Sequence, residues 1–404
     1  MDLRYGEQTL AVTVPAHADI LSVNEPVLQV NQDRFIQDFS TFLPAQMPAG
    51  PIAIVVADKT RLCDYPRILS WLTELLLTQG ARSEQIRFYI AYGTHARQTD
   101  AESLTAYGPL YAKFPFIHHQ STDLGQFVDL GRTRSGTPVR IRRELVEAAL
   151  IITVGAISHH YFAGFGGGRK LLFPGLGEQE AIYRNHRLFL DTHTRDLSRG
   201  CRSGQFEQNP VATDLEEINA LLPHYLSIHG LLDSHGQVVA FHCGNSYQHF
   251  LTACAEHDQN YRCKIRRRYP LVLASAGGFP KDINFIQSHK AIDNSSDFVE
   301  DGGHLILLAQ CRDGIGSTTF LPYFEIGDRN SAFETLLKHY SGNGGTALSM
   351  MAKSQRISIS LVTDLEQSLC TRIGVRHISL AEVELMLRRK ENMALIPNSS
   401  MLIR

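Results

Sequence analysis

A chain of 404 residues, 43% hydrophobic and 20% charged, is long enough to bury a large core and to divide into two folded units. Lys+Arg number 39 against 41 Asp+Glu, and this balance, with no long basic run, excludes nucleic acid as a partner. Seven cysteines without a C-x-x-C pair exclude a disulfide framework and a thiolate zinc site; with the start MDLRYGEQTLAV and no apolar run beyond strand length, they predict a cytoplasmic protein without a membrane segment.

The apolar run Ile52–Ala57 (IAIVVA) predicts a buried strand that ends in the polar Asp58-Lys59-Thr60-Arg61. Pro66 opens a helical pattern closed by Gly80. Ile86–Tyr92 predicts a second strand running into Gly93-Thr94-His95, Leu130–Arg143 a hairpin with a Ser-Gly turn, and Leu150–Val154 a third strand. Residues 178–260 read mostly as helix and irregular chain. A unit boundary is expected near residue 265, within the basic cluster 264–268, which is assigned to a solvated face.

Beyond it the pattern repeats. Strands are expected at 271–275, 304–309 and 357–362, and helices near 285–300, 331–340 and 380–390. The fold class is therefore α/β, with two Rossmann-like units (1–265 and 266–404) facing each other across a cleft. In such sheets ligands bind at the carboxyl ends of the strands, where the polar turns lie.

The third strand leads into Ser158–Gly175, S-H-H-Y-F-A-G-F-G-G-G-R-K-L-L-F-P-G. A P-loop would need Gly-Lys-Ser/Thr, but Arg169 separates Gly168 from Lys170 and Leu171 follows. A G-x-G-x-x-G begun at Gly164 fails because Arg169 stands at its last position. Bare backbone at Gly167 and Gly168 still lets N–H groups approach an anion, with Arg169 adding charge, so a phosphorylated cofactor fits without either motif. A flexible turn would explain the glycines alone, but not the histidines and lysine that flank them. Gly314–Ser317 suits either a second anion nest or a plain turn.

The pattern H-x-x-A-G-F-x-G-G-R-K-x-x-x-P-G from His160 to Gly175, with Asn185-His186 beyond it, resembles the lactate racemase family of nickel-pincer-nucleotide enzymes. Asp58-x-Thr60-Arg61, Gly93-Thr94-His95 and Gly277-Gly278…Gln287-Ser288-x-Lys290 are similar to further motifs of that family, in the same order. The resemblance implies a 2-hydroxy acid racemase or epimerase whose nickel ion is held by a pyridinium mononucleotide with two sulfur-bearing arms. It makes Lys170 the covalent anchor of one arm, His186 the nickel ligand, and His95 and His160 the acid/base pair. Arg61, Gln287 and Lys290 would hold the 2-hydroxy acid, while Asp58 and Thr60 would meet the cofactor. Proteins that make and deliver the cofactor are implied as partners.

The chemistry accounts for these residue types. Removing a Cα proton beside a carboxylate is difficult, whereas hydride transfer through a planar 2-keto acid needs only proton exchange at the hydroxyl, suited to histidine. A cation must hold the carboxylate, and an arginine does so in bidentate geometry. Taken singly, His95, His186 and Lys170 would each read as a capping, surface or solvated residue; the joint spacing decides. Of the adjacent pair, that spacing selects His160 and leaves His159 a structural part. Ile286, where an aromatic is expected, and Ala96-Arg97 depart from the family near the substrate, which puts lactate itself in question more than the reaction. The competing readings are a hydroxy-acid oxidoreductase or dehydratase with another cofactor, and a non-catalytic carboxylate-binding protein.

Overall fold

All six side chains of Ile52–Ala57 are buried, as a parallel strand covered on both faces requires. The computed structural model describes residues 1–23, 30–265, 267–388 and 391–404. In it this strand lies inside a six-stranded sheet ordered Val238–Gly244, Leu226–Leu232, Leu150–Ala156, Ile52–Ala57, Ile86–Ala91 and Phe116–His118. The edge pair Val238–Gly244 with Leu226–Leu232 is antiparallel and the remaining neighbours are parallel. A second six-stranded sheet runs Arg376–His377, Ser358–Val362, Val299–Leu308, Tyr269–Ser275, Ala394–Ile396 and Asp19–Ile20, parallel throughout.

Two tyrosines fix the strand ends of the first sheet. The Tyr65 hydroxyl accepts from Ala57 N at 2.7 Å and donates to Val154 O at 3.0 Å. The Tyr107 hydroxyl donates to Ala57 O at 2.8 Å. Both backbone groups of Ala57 are thereby satisfied where the ladder ends, and Asp58 leaves the sheet in a defined direction. After Leu150–Ala156 the chain forms a small hairpin, Ser158–His160 against Gly164–Gly166, with His160 opposite Gly164. Gly164 has φ 74°, and a Cβ there would stand 2.3 Å from Gln205 O, so a side chain has no room.

Several expected elements are present within a few residues: helix Tyr65–Thr78, the hairpin Phe127–Arg132 with Pro138–Arg142, and helices Phe285–Ser296 and Arg329–Lys338. Helix Leu380–Arg388 also forms; residues 389 and 390 of its expected span, and residue 266 of the basic cluster beside the expected boundary, lie outside the described residues. Two expectations need correction, and one left open between two readings is decided. Residues 178–260 are not mostly helix and irregular chain, because Leu226–Leu232 and Val238–Gly244 are strands of the first sheet. The first residues of the chain do not join the first sheet: Asp19–Ile20 pairs with Ala394 and Leu395, and Leu3, Tyr5 and Val12 pack into the core of the second. Gly314–Ser317 forms a turn that closes on helix Phe285–Ser296, with Gly314 O accepting from Phe285 N at 2.9 Å and Ile315 O accepting from Ile286 N at 3.1 Å. No described helix is long and apolar enough to cross a membrane.

Because the N-terminal segment is part of the second core, trimming it should act at a distance in sequence. Leu3 is 1% exposed, so Leu3→Ala is expected to destabilise the protein by about 2–5 kcal/mol in urea unfolding. A loss below about 0.5 kcal/mol would mean that the segment is peripheral.

Candidate active site

The carboxyl ends of the first sheet and the start of helix Phe285–Ser296 enclose a cavity of about 170 Å³ lined by Thr60, Arg61, His95, His160, Gly167, Lys170, His186, Gln287 and Lys290, among others. Residues that lie up to 230 positions apart in the sequence thus meet in one place.

Asp58 stands just behind this wall with 3% of its side chain exposed. Its Oδ1 accepts from Thr60 N at 2.8 Å and Thr60 Oγ1 at 2.5 Å, and its Oδ2 lies 2.6 Å from His95 Nδ1. Burial alone would raise its pKa, but His95, Arg61 and Thr60 together hold the carboxyl well below the usual range. Arg61 Nη1 is 3.3 Å from the same His95 nitrogen. Both partners cannot use one ring nitrogen in the same sense, and the shorter, charge-assisted contact to Asp58 prevails. Nδ1 therefore carries a proton, and when the ring is neutral Nε2 is the nitrogen with the lone pair.

His160 is held in the opposite sense. Its Nδ1 accepts from Phe162 N and Ala163 N, each at 3.2 Å, which places the ring proton on Nε2. Burial, reinforced by Lys170 and Arg61, pushes its pKa well below the ordinary value, so the imidazole is neutral. Tyr161 stacks on it with centroids 5.4 Å apart and planes at 10°, and the Tyr161 hydroxyl is 2.8 Å from Thr346 Oγ1 in the second unit.

On the second unit, Asn284 caps helix Phe285–Ser296 by accepting from Gln287 N. One turn on, Lys290 Nζ donates to Gln287 Oε1 at 2.5 Å, leaving the Gln287 amide N–H groups free to donate. Burial, with Arg61 nearby, pushes the Lys290 amine well below its ordinary pKa. Lys281, which the sequence reading passed over, also lines the cavity and is shifted down by burial and Arg61. It follows the turn after strand Tyr269–Ser275, the same strand-end position that marked the other site residues.

Two expected members stand elsewhere. Arg169 does not reach the cavity: it is 1% exposed, and its guanidinium packs on Phe250, Tyr247 and Phe206 at 4.5, 5.5 and 5.6 Å. The 3₁₀ turn Gly168–Leu171 sends consecutive side chains to different sides, so Lys170 enters the cavity and Arg169 leaves it. Gly168 likewise faces Phe250, where a Cβ would come within 2.4 Å of the ring, whereas Gly167 lines the cavity.

The residues present suit a metal-bearing group that is tethered and brings its own donors. Among the described residues no three His, Cys, Asp or Glu side chains converge as a metal site, so His186 could supply one ligand but no complete set. Burial pushes His186 down to about 3, so the ring is neutral. Burial first, then Arg61 and Arg169, pushes the Lys170 amine well below its ordinary range, which favours the unprotonated form suited to an acyl-type bond.

Two domain models of one family match the chain: the lactate racemase N-terminal domain over residues 40–197 and the lactate racemase C-terminal domain over residues 266–344. A lactate racemase of Thermoanaerobacterium thermosaccharolyticum is 29% identical over 277 residues, and one of Lactiplantibacillus plantarum 27% over 290. These matches take in 68% and 70% of this chain but 63% and 65% of those proteins, so the chain spans slightly under two thirds of their length. The lactate racemase apoprotein structure from T. thermosaccharolyticum shares the fold, with TM-score 0.85 at 23% identity over 100% of this chain and 99% of that one. A crystal structure of a Thermotoga maritima protein gives 0.72 at 14% over 95% and 99%.

The Asp58 geometry has a consequence for stability. A carboxyl whose pKa is depressed on folding adds stability that is full above its unfolded value, about 4, and is lost as pH falls through the folded one. Asp58→Asn should therefore be less stable than the parent at pH 7 in urea, and the gap should narrow as pH falls below about 4. A gap of constant size down to pH 3 would show that Asp58 is not held ionised.

Proposed function

The chain belongs to the lactate racemase family, and from that membership and its cavity we propose that it is an isomerase inverting C2 of a 2-hydroxy acid. The observation that carries the reading is one cavity holding a histidine whose Nδ1 is bound to a carboxylate, a second whose Nδ1 is bound to backbone N–H groups, and basic side chains for a carboxylate. A pure binding protein has no use for the two opposed imidazoles.

In this reading Lys170 would hold a nickel-pincer nucleotide covalently and His186 would ligate its nickel. When bound, that group would supply a reversible hydride acceptor for C2. Arg61 and Lys290 hold the substrate carboxylate, and the free Gln287 N–H groups donate to a substrate oxygen. His95 Nε2 takes the hydroxyl proton, and Asp58 balances the imidazolium that forms. His160 donates a hydrogen bond through Nε2–H to the same oxygen. For the opposite enantiomer His160 must act as base, which requires its ring to turn and free Nδ1 from Phe162 and Ala163. The two histidines therefore serve unequally in the resting arrangement. Enclosure between the sheets keeps water from the keto acid.

The covalent part is tested by producing the protein together with the enzymes that make the cofactor. Peptide mass mapping should find an adduct on Lys170, absent in Lys170→Ala, while His186→Ala should keep the adduct and lose nickel. Active, nickel-loaded protein with unmodified Lys170 would refute the anchoring.

The proton traffic gives a second expectation. His95→Ala should lower kcat/KM by about 10²–10⁴-fold, equally in both directions because the equilibrium constant cannot change. During turnover in deuterated water the C2 hydrogen should stay with the substrate. Rapid deuterium entry at C2 would overturn hydride transfer.

A further inference from the structure

His160 can act only if its hairpin is held in place, and the residue before it carries a charged tether. Successive strand residues point to opposite faces. His159 turns inward with 2% of its side chain exposed, and its Nε2 lies 3.0 Å from Asp258 Oδ1. Asp258 belongs to helix Tyr247–Tyr261. Arg262 grips the same carboxylate at two points, Nε to Oδ2 at 2.7 Å and Nη2 to Oδ1 at 2.8 Å.

The other side of that guanidinium reaches further. Arg262 donates to Arg404 O at 2.7 Å and to Gly204 O at 3.4 Å. Cys263 N donates to Ile403 O at 2.7 Å, and Ile403 N to Tyr261 O at 3.2 Å, so the segment 399–404 docks on the end of this helix. At its other end the segment is tied to the second sheet, with Ser399 N and Oγ both 2.9 Å from Ser275 O. Gly204 N meanwhile donates to Gly164 O at 2.8 Å, directly across the hairpin from His160. A continuous line of polar contacts thus runs from the His160 hairpin through one carboxylate and one guanidinium to the second sheet. Asp258 and Arg262 do not line the cavity, and His159 borders it with its side chain turned to Asp258.

We propose that His159, Asp258 and Arg262 are positioning residues for the reaction read above, setting the place of His160 by how segment 399–404 of the second unit docks on the first. The inference rests on that functional reading, and it explains the second histidine of the His-His pair. A shift of about 1 Å at a group that handles a proton can cost about 100-fold in rate.

The test joins hydrogen exchange of the full chain without cofactor to kinetics of the nickel-loaded enzyme. Arg262→Ala should raise exchange in peptides covering both 158–166 and 399–404. His159→Phe, which keeps the volume and removes the bond, should raise it at 158–166, and His159→Gln, whose amide replaces Nε2, should restore it. In the loaded enzyme kcat should fall by up to about 100-fold in the first two variants with KM changed by less than about threefold. The double variant should lose no more than the worse single one, because both cut the same line. Asp258→Asn stands in for either variant that fails to fold and should show the same two changes. Exchange rising at 399–404 alone, additive losses of kcat, or His159→Gln no better than His159→Phe would overturn the relay. Coupled exchange in a protein that racemises no 2-hydroxy acid would overturn the functional reading instead.

Discussion

The carboxylate of Asp58 sits out of water at a strand end and stays ionised because its neighbours arrange themselves around it. Thr60 closes a turn onto one oxygen, and His95, delivered by the adjacent strand, takes the other at 2.6 Å. Arg61 approaches to 3.9 Å. An isolated buried carboxylate would simply take up a proton. Here the charge persists because the two strands are in register, Ala57 beside Ala91, and because Tyr65 and Tyr107 hold the last peptide of the first strand. The same sheet pairing that builds the core therefore sets which nitrogen of His95 bears the proton. A slip of one residue would turn Asp58 to the other face and leave the imidazole free to adopt either tautomer.

Much of this was legible along the chain. Parallel strands covered on both faces are continuous apolar runs, so IAIVVA could be read without partners, and the polar residues after each run mark the strand ends where such sheets bind ligands. The site residues Arg61, His95, His160 and Lys170 all follow strands found in this way. The strand Leu226–Leu232 (LSIHGLL) escaped because Ser227, His229 and Gly230 break the apolar run. Yet Ser227 bonds Thr153 at 2.9 Å, a neighbour distant in sequence, and His229 is 1% exposed with its ring 5.9 Å from that of Phe250. The place of the first residues was equally unreadable. Ile20 pairs with Leu395, and no local pattern encodes a partner that remote.

Arg169 shows a different limit. Standing next to Lys170, it invites the reading that both cations serve one anion. The turn separates them, and the guanidinium lies among three aromatic rings with none of its nitrogens hydrogen-bonded. Cation–π attraction of about 2 kcal/mol at a desolvated ring offsets part of the cost of burying that charge. The remainder is a destabilising feature placed one residue from Lys170. Its repulsion is among the effects that lower the pKa of the Lys170 amine, so a charge outside the cavity still conditions a side chain inside it.

The cavity as a whole follows the same logic. Arg61, Lys281 and Lys290 line it, and the buried carboxylate beside them is already committed to His95 and Thr60. Closing the two sheets over uncompensated cations opposes their docking, and the downward shifts of Lys281 and Lys290 record that conflict. An anionic ligand removes it by supplying the missing charge in a site where electrostatic attraction is little screened. Docking and ligand binding therefore favour each other, and the contacts that fix the sheets without ligand must lie outside the cavity. The tie from Ser275 through Ser399 and Arg262 to the His160 hairpin is such a contact, since it joins the units by backbone and paired charges that no ligand has to complete.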